Sequence, residues 1–417
     1  MLPEGWTRRP LGKIAHITSG GTPDRAQPSY WSGDIPWVPT GEIRFNTITD
    51  TAEKITPAGL KNSSAKLFPP GTLLMAMYGQ GKTRGQVAKL GIEAATNQNS
   101  AAIHLHNGHE PDFYFQYLWW KYEDIREFGH SGGISHLNAG LLKEISVPVA
   151  PVEEQARIAK VLACWDEAVA TAERLLANSQ RQKQVLTRGV LTGRKRLREF
   201  VDRNDWQTTP QGRIPADWSY PQIGALAEEY SLKRGSGATL PVLSCTKHEG
   251  LVDSLKYFNK QVFSADTSTY KVVPRGCFVY ATNHIEEGSI GYQDLYEQGL
   301  VSPMYTVFKT GGEVDDGYLF RLLKTDRYRQ IFAAATNASV DRRGSLRWNE
   351  FRKLHVPLPT MQEQRAIAKL LATAAAETNA ISEALKFLRA EKKALMQQLL
   401  TGKRRLHALE PTAETAA

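Results

Sequence analysis

The sequence predicts a mixed α and β chain in which two globular units are joined by two long antiparallel coiled-coil helices, built as a pseudo-twofold internal repeat. Three observations lead there. Glu154-Gln155 recurs as Glu363-Gln364, Ile158-Ala159-Lys160 as Ile367-Ala368-Lys369, and Leu191-Thr192-Gly193 as Leu400-Thr401-Gly402, every copy 209 positions after the first, as 363 follows 154. Both copies carry apolar residues at the alternating steps of four and three that define a heptad seam. The segments that precede them share an order of landmarks and little between the landmarks.

The first globular unit covers 1–149. It opens with Leu2-Pro3-Glu4-Gly5-Trp6 and Leu11-Gly12, then has an apolar strand behind a Pro/Gly turn, Pro69-Pro70-Gly71-Thr72-Leu73-Leu74-Met75. An amphipathic helix rich in aromatics is expected from Asp112 to Phe128, followed by a polar loop and Ile145-Ser146-Val147-Pro148. The first helical region, 150–199, follows Pro148 and Pro151, with Glu153 and Glu154 suited to the positive end of a helix dipole and Gly193 just past the last apolar residues. Its seam is Ile158, Leu162, Trp165, Val169, Ala172, Leu176, Ser179, Lys183, Leu186 and Val190. A linker is expected over 200–213.

The second unit, 214–357, repeats the order: Ile214-Pro215-Ala216-Asp217-Trp218 with Ile223-Gly224, then Pro274-Arg275-Gly276-Cys277-Phe278-Val279-Tyr280, an aromatic helix from Asp316 to Phe332, and Leu354-His355-Val356-Pro357. The second helical region, 358–406, has the seam Ile367, Leu371, Ala374, Thr378, Ile381, Leu385, Leu388, Lys392, Leu395 and Leu399, and 407–417 reads as a flexible tail. Roughly 40 helical residues make a rod of about 60 Å. Such a rod has too little apolar area to stand alone, so each copy is the natural mate of the other, and the globular segment between them allows antiparallel packing. Loops tolerate insertions and paired helices do not, so the unbroken offset points to a fixed register.

Composition bounds the function. The 417 residues are 41% hydrophobic, with 52 Lys and Arg against 43 Asp and Glu, a formal charge of +9 that favours a polyanionic partner. No apolar run reaches the length of a membrane span and the N-terminus lacks the order of a signal peptide, so no membrane partner is expected. Cys164, Cys245 and Cys277 follow no metal or redox spacing, which suits the cytoplasm.

Catalytic signatures are sparse. Gly79-Gln80-Gly81-Lys82-Thr83 ends like a phosphate-binding loop, but Ala76 stands where its first glycine belongs and no helix pattern follows. Read as a dinucleotide fingerprint, the same stretch has Arg84 in the place of the third glycine. His104, His106 and His109 lack a carboxylate or Cys to complete a metal site, and no Gly-x-Ser-x-Gly elbow presents a nucleophile. We assign no catalytic residue, no metal and no cofactor to this chain.

The loops carry side chains suited to nucleic acid. In the first unit Gln80, Lys82, Thr83 and Arg84 follow an apolar strand, while His130, Ser131, Ser135, His136 and Asn138 occupy the loop before the rod. In the second, Lys247 and His248 follow one strand, Asn283, His284, Glu286 and Glu287 another, and Arg342, Arg343 and Arg347 precede the rod. Arg and Lys pair with guanine edges, Asn and Gln with adenine, and Glu with the cytosine amino group. The same residues also suit a solvated loop. The rods end in basic tails, Arg194-Lys195-Arg196 with Arg198 and Lys403-Arg404-Arg405, which complement a helix dipole or serve as contacts to phosphate or an acidic surface.

These parts carry a resemblance. A globular unit, Val-Pro-x-x-Pro, a Glu-Glu-Gln-x-x-Ile-Ala helix ending Leu-Thr-Gly, then a second unit, Pro-Leu-Pro and a Glu-Gln-x-x-Ile-Ala helix ending Leu-Thr-Gly resemble, over essentially the whole chain, the specificity subunit of type I restriction-modification enzymes. Ser19-Gly20-Gly21-Thr22-Pro23, Tyr30-Trp31-Ser32-Gly33-Asp34-Ile35-Pro36-Trp37 and Thr96-Asn97-Gln98 resemble elements of that family's target recognition domains, and Thr22 joins the candidate DNA contacts. The second unit lacks the Gly-Gly-Thr-Pro and Asn-Gln elements. The resemblance implies two target recognition domains, each reading half of an asymmetric bipartite site in double-stranded DNA. It implies paired helices that fix the spacer and dock two methyltransferase subunits, with restriction subunits joining later. S-adenosylmethionine, ATP and magnesium would then belong to those other subunits. Two other classes stay open: a coiled-coil scaffold that binds no DNA, and a DNA-modifying enzyme in its own right.

Overall fold

A computed structural model describes residues 2–79, 81–128, 136–201, 205–234, 240–338 and 344–406. The candidate residues Gln80, His130, Ser131, Ser135, Arg342 and Arg343 lie outside them. The chain divides into two compact units, Met1–Arg174 with Ser382–Ala417, and Leu175–Ile381. The division falls inside both long helices, Val152–Leu191 and Met361–Leu399, so each unit holds a globular segment and a part of each rod.

In the first unit a five-stranded sheet runs in the order Ala15–Ser19, Ser100–Leu105, Leu73–Ala76, Val87–Leu90, Thr47–Ile48. Every neighbour is antiparallel except the last pair. Leu73, Leu74, Met75 and Ala76 have no exposed surface, as a strand covered on both faces requires. A smaller sheet of Glu53–Ile55, Trp31–Val38 and Ala95–Thr96 packs around the buried Trp37. In the second unit Ala227–Glu229, Tyr305–Thr310, Phe278–Ala281 and Ile290–Tyr292 form an antiparallel sheet in the same order as the first four strands of the first unit's sheet. The strands behind the Pro/Gly turns, Leu73–Ala76 and Phe278–Ala281, are therefore equivalent, and the duplication predicted from landmarks extends to sheet topology.

The aromatic helices differ from expectation. Each breaks in two: Pro111–Trp120 and Tyr122–Phe128 in the first unit, Asp316–Leu323 and Asp326–Ala338 in the second. At the second break Thr325 turns the chain, its hydroxyl donating to Leu322 O at 2.7 Å and accepting from the Tyr328 amide at 3.4 Å. The expected linker also contains regular structure, a hairpin of Trp206–Thr209 and Gly212–Pro215.

The rods pack against each other within each unit. In the first, Glu173 pairs with Arg389 at 2.6 Å and Asp166 with Lys392, one number falling as the other rises, which is the antiparallel sense. Ile158 and Leu162 share a core with Met396, Leu399 and Leu400. In the second, the seam residues Ser179 and Thr378 meet hydroxyl to hydroxyl at 2.9 Å, and Ile367 and Leu371 share a core with Val190 and Leu191. All the seam residues named from sequence are buried or half-buried, including Trp165, Val169, Leu176, Leu186, Ile381, Leu385, Leu388 and Leu395. Lys392, buried on the seam, lies 3.6 Å from the centre of the Trp119 ring, and its carboxylate partner Asp166 also accepts from Gln116.

The basic tails have a use that neither sequence reading named. Arg405 grips Glu154 through two hydrogen bonds of 2.7 and 2.8 Å, and Trp6 Nε1 donates to the same carboxylate at 3.0 Å. In the second unit Arg196 grips Glu363 at 2.9 and 2.8 Å, and Trp218 Nε1 donates at 3.1 Å. The end of each rod thus caps the start of the other. Gly193 and Gly402, at φ of +69° and +71°, turn the chain there with a proline ring, Pro215 or Pro3, pressed against each. Arg194, Lys195, Arg198, Lys403 and Arg404 are exposed.

Candidate nucleic-acid interface

In each unit the sheet delivers two loops to one of its ends. In the first, the loop between Leu73–Ala76 and Val87–Leu90 leaves beside the start of Ser100–Leu105, where the Met77 amide donates to Asn99 O at 2.9 Å. The loop before the rod then docks on it, the Leu137 amide donating to Met77 O at 3.0 Å. In the second unit the Thr282 hydroxyl donates to Met304 O at 3.0 Å, and the Leu346 amide to Thr282 O at 2.7 Å. Segments far apart in sequence that carry the candidate set are thus joined by the same backbone contact in both units.

The first unit's loop is held from behind. Arg126 donates to Gly81 O at 2.8 Å, and the Tyr122 hydroxyl donates to Lys82 O. Gly79, Gly81 and Gly85 all have positive φ, which lets the backbone reverse with no Cβ penalty. Lys82 is exposed and Thr83 half-buried. Arg84 departs from the expectation of a loop cation free to read bases. It is 7% exposed and donates to Arg126 O at 3.4 Å, so it turns inward and braces the loop. His136 is half-buried and stacks on Tyr78, ring centres 4.8 Å apart, and Asn138 caps the helix Ala139–Glu144 through the Leu141 amide. Sequence reasoning passed over Tyr78, whose signal was an aromatic immediately before the Gly-rich turn.

The motifs that carry the resemblance converge next to this loop. Gly21 N donates to Thr96 O at 2.8 Å, Trp37 Nε1 donates to Gly21 O at 3.0 Å, and the Thr22 hydroxyl meets the Gln98 side chain. Asn97 Oδ1 collects the Ser100 hydroxyl at 2.9 Å and the Asn99 amide at 3.1 Å. A side chain on Gly20 or Gly21 would run into the backbone of Thr96 or Ser64, so these glycines are required by close approach.

In the second unit, Lys247 and His248 form the exposed turn between Leu243–Thr246 and Gly250–Asp253. Lys324 Nζ ties that turn to the other loop, donating to Lys247 O and Gly288 O at 2.8 Å each. Burial lowers the Lys324 pKa from its ordinary value. Ile285 anchors the loop in the core with no exposed surface, while Asn283 is half-buried and His284 exposed, 3.5 Å from Glu287. His284, Glu286 and Glu287 offer ligand atoms within 4.8 Å of one another, a trio the sequence reading did not weigh. Arg347 is exposed at the start of Trp348–Phe351.

The histidines set aside as metal ligands have neighbours of their own. His104 Nδ1 lies 3.4 Å from the Thr72 hydroxyl and His109 Nδ1 3.1 Å from Tyr114 OH. Burial, His106 and Arg9 together lower the His109 pKa. No described helix is long and apolar enough to cross a membrane.

The two units share a four-strand order, each presents a different loop pair from the equivalent sheet end, and each is clamped to paired helices, which makes the chain a duplicated scaffold with divergent loops. Residues 3–178 match the type I restriction modification DNA specificity domain. Over 98% of the chain the sequence is 22% identical to the type I restriction enzyme MjaVIII specificity subunit of Methanocaldococcus jannaschii, covering 95% of that protein. It is 25% identical to the MjaIX specificity subunit of the same organism over 58% of this chain, and there it spans 54% of the relative, about half its length. The S subunit of a type I restriction-modification system from M. genitalium shares the fold, with a TM-score of 0.57, 14% identity and 96% of each chain covered. The chain is thus similar to type I restriction-modification specificity subunits, through a specificity domain over residues 3–178 and relatives that match it along most of its length.

Proposed function

We propose that each globular unit reads one half of an asymmetric bipartite site in double-stranded DNA, for a complex whose chemistry resides on other subunits. The observation that carries this reading is the repeated loop junction. The same backbone contact, Leu137 to Met77 and Leu346 to Thr282, assembles loop sets of unrelated side chains at equivalent sheet ends. A constant scaffold with divergent loops is what two different half-sites require. In this reading Thr22, Lys82, Thr83 and His136 in the first unit, and Lys247, His248, Asn283, His284 and Arg347 in the second, contact base edges or phosphates; all of them are exposed or half-buried. The paired helices set the spacer and offer exposed side chains, among them Leu175, Val185 and Phe387, to two methyltransferase subunits. Restriction subunits complete the complex. This chain performs no catalysis and binds no cofactor; S-adenosylmethionine, ATP and magnesium act on its partners.

The test is to co-express the chain with its methyltransferase subunit and map methylated adenines in host DNA by single-molecule sequencing. A split, asymmetric motif that disappears when either globular unit is removed is expected. A stable, active complex that leaves no motif would favour a scaffold that binds no DNA.

A further inference from the structure

A cavity of about 450 Å³ in the second unit brings aromatic and polar side chains together. Its lining is aromatic in part, with Tyr257, Phe258 and Tyr305, and polar in part, with Lys247, His248, His284 and Glu287. Tyr257 and Phe258 are 44% and 38% exposed, packed edge to face with ring centres 4.9 Å apart, and belong to none of the buried clusters. They are nonetheless held firmly. Their short helix, Ser254–Phe258, is capped by Asp253, which accepts from the Leu255 and Lys256 amides at 3.1 Å each and from Tyr296 OH at 2.6 Å. Asn259, at φ of +51°, turns the chain away behind them. The polar lining is equally fixed, because Lys324 bolts the Lys247 turn to the His284 loop.

Exposed aromatic rings that line one cavity with hydrogen-bonding side chains suit a flat heteroaromatic ligand, since the rings offer stacking surface and the polar lining offers donors to its edge. Lys247, Lys256 and Lys260 are exposed around this region and complement a polyanion. An apolar protein side chain would leave the polar lining unpaired, and a free anion has no use for the rings. Resting on the DNA reading above, we propose that this cavity receives one base of the second half-site, drawn out of the duplex stack. Tyr257 and Phe258 supply the stacking surface, and His248, His284 and Lys247 read the base edge. Unstacking a base costs free energy that stacking on aromatic side chains offsets.

The experiment uses the full chain assembled with its methyltransferase subunits and duplexes carrying the motif from the methylation map, with 2-aminopurine placed in turn at each position of the second half-site. Emission is expected to rise on binding at one position of that half-site other than the methylated adenine, which a methyltransferase itself draws out of the stack. In the double variant Y257A/F258A the rise disappears and binding to the cognate duplex weakens roughly 5- to 150-fold, the range for losing base–aromatic stacking. H284A, which leaves both rings in place, should keep the rise and relax the choice of base there. Selective binding of the cognate duplex with no rise at any position but the methylated adenine, or wild-type affinity in Y257A/F258A, would overturn the pocket and leave half-site reading intact. Failure of the wild-type complex to prefer the cognate duplex over a scrambled one would instead overturn the DNA reading, and the pocket with it.

Discussion

Glu154 and Glu363 each sit at the start of a rod, almost without exposed surface, and each is held by an arginine from the end of the other rod and a tryptophan indole. Removing one partner of a buried pair leaves the other charge unmatched. Arg196→Met should therefore lower unfolding stability by about 3 kcal/mol, measured by denaturant titration, and Glu363→Gln in the same background should recover part of the loss by removing the stranded charge. The Glu154 carboxyl also makes a pH prediction. Burial opposes its charge, but hydrogen bonds from Arg405 and Trp6, with the attraction of Arg405, outweigh that and hold its pKa below the ordinary 4.5. Because folding lowers this pKa, its contribution is present above 4.5 and is lost as the pH falls through the depressed value. Thermal melts from pH 6 to about pH 3 should show a shallower acid loss in Glu154→Gln than in wild type; an identical slope would remove Glu154 from the account. Residue type alone does not disclose such roles. Lys82 and Arg84 look alike in sequence, yet one is exposed and the other buried under a loop, because Tyr122 and Arg126, some forty residues on, decide which way the turn folds.

At the scale of elements, the rods were legible because a heptad seam constrains every third or fourth residue over the whole helix, and indels would break it. Even its polar members were informative: Ser179 meets Thr378, and Lys392 finds Asp166. The division of the aromatic helices was not legible, since Lys121 and Lys324-Thr325 are no stronger as helix breakers than their neighbours. At the second break the Thr325 hydroxyl binds Leu322 O, while the Tyr114 and Tyr318 hydroxyls, donating to Pro148 O and Pro357 O, tie the first helix of each pair to the strand or loop before the rod. The hairpin in the expected linker had a turn signal, Pro210-Gln211-Gly212, but its strands are only four residues long, too little for a period to show. A substitution on the seam tests the pairing directly. Leu385 is 5% exposed in the first unit, and Leu385→Asp places a carboxylate where no cation was built for it, at a cost of about 3 kcal/mol or more. The expected result is a lower melting temperature, weaker assembly with methyltransferase subunits and blurred spacer length in the methylation map. Unchanged spacer and assembly would sink the idea that the seam sets them.

The whole molecule is one scaffold used twice, and the second use differs where it matters for recognition. The four-stranded order, the loop junction, the tryptophan-capped glutamate and the glycine turn recur; Gly20-Gly21-Thr22 and Thr96-Asn97-Gln98, which knit the first unit's sheet end together, have no counterpart in the second. There the hairpin turn at Lys247 and the Lys324 bolt occupy the loop end instead. Architecture therefore followed from the repeat, while which loop residues at each sheet end are exposed and which turn inward had to be found in the fold. If the two units read DNA independently, their substitutions should separate. Lys82→Ala should relax selectivity at one or more positions of the first half-site and leave the second unchanged, with Lys247→Ala doing the reverse, when the assembled complex is challenged with a library randomised in both halves. A lysine that contacts only phosphate behaves differently: its loss weakens all sequences together and reduces the slope of log K against log salt by about 0.9. Running the library selection at two salt concentrations distinguishes the cases for each lysine. Loss of selectivity in both half-sites from either single substitution would mean that the units do not act separately, and the assignment of one half-site to each would fail.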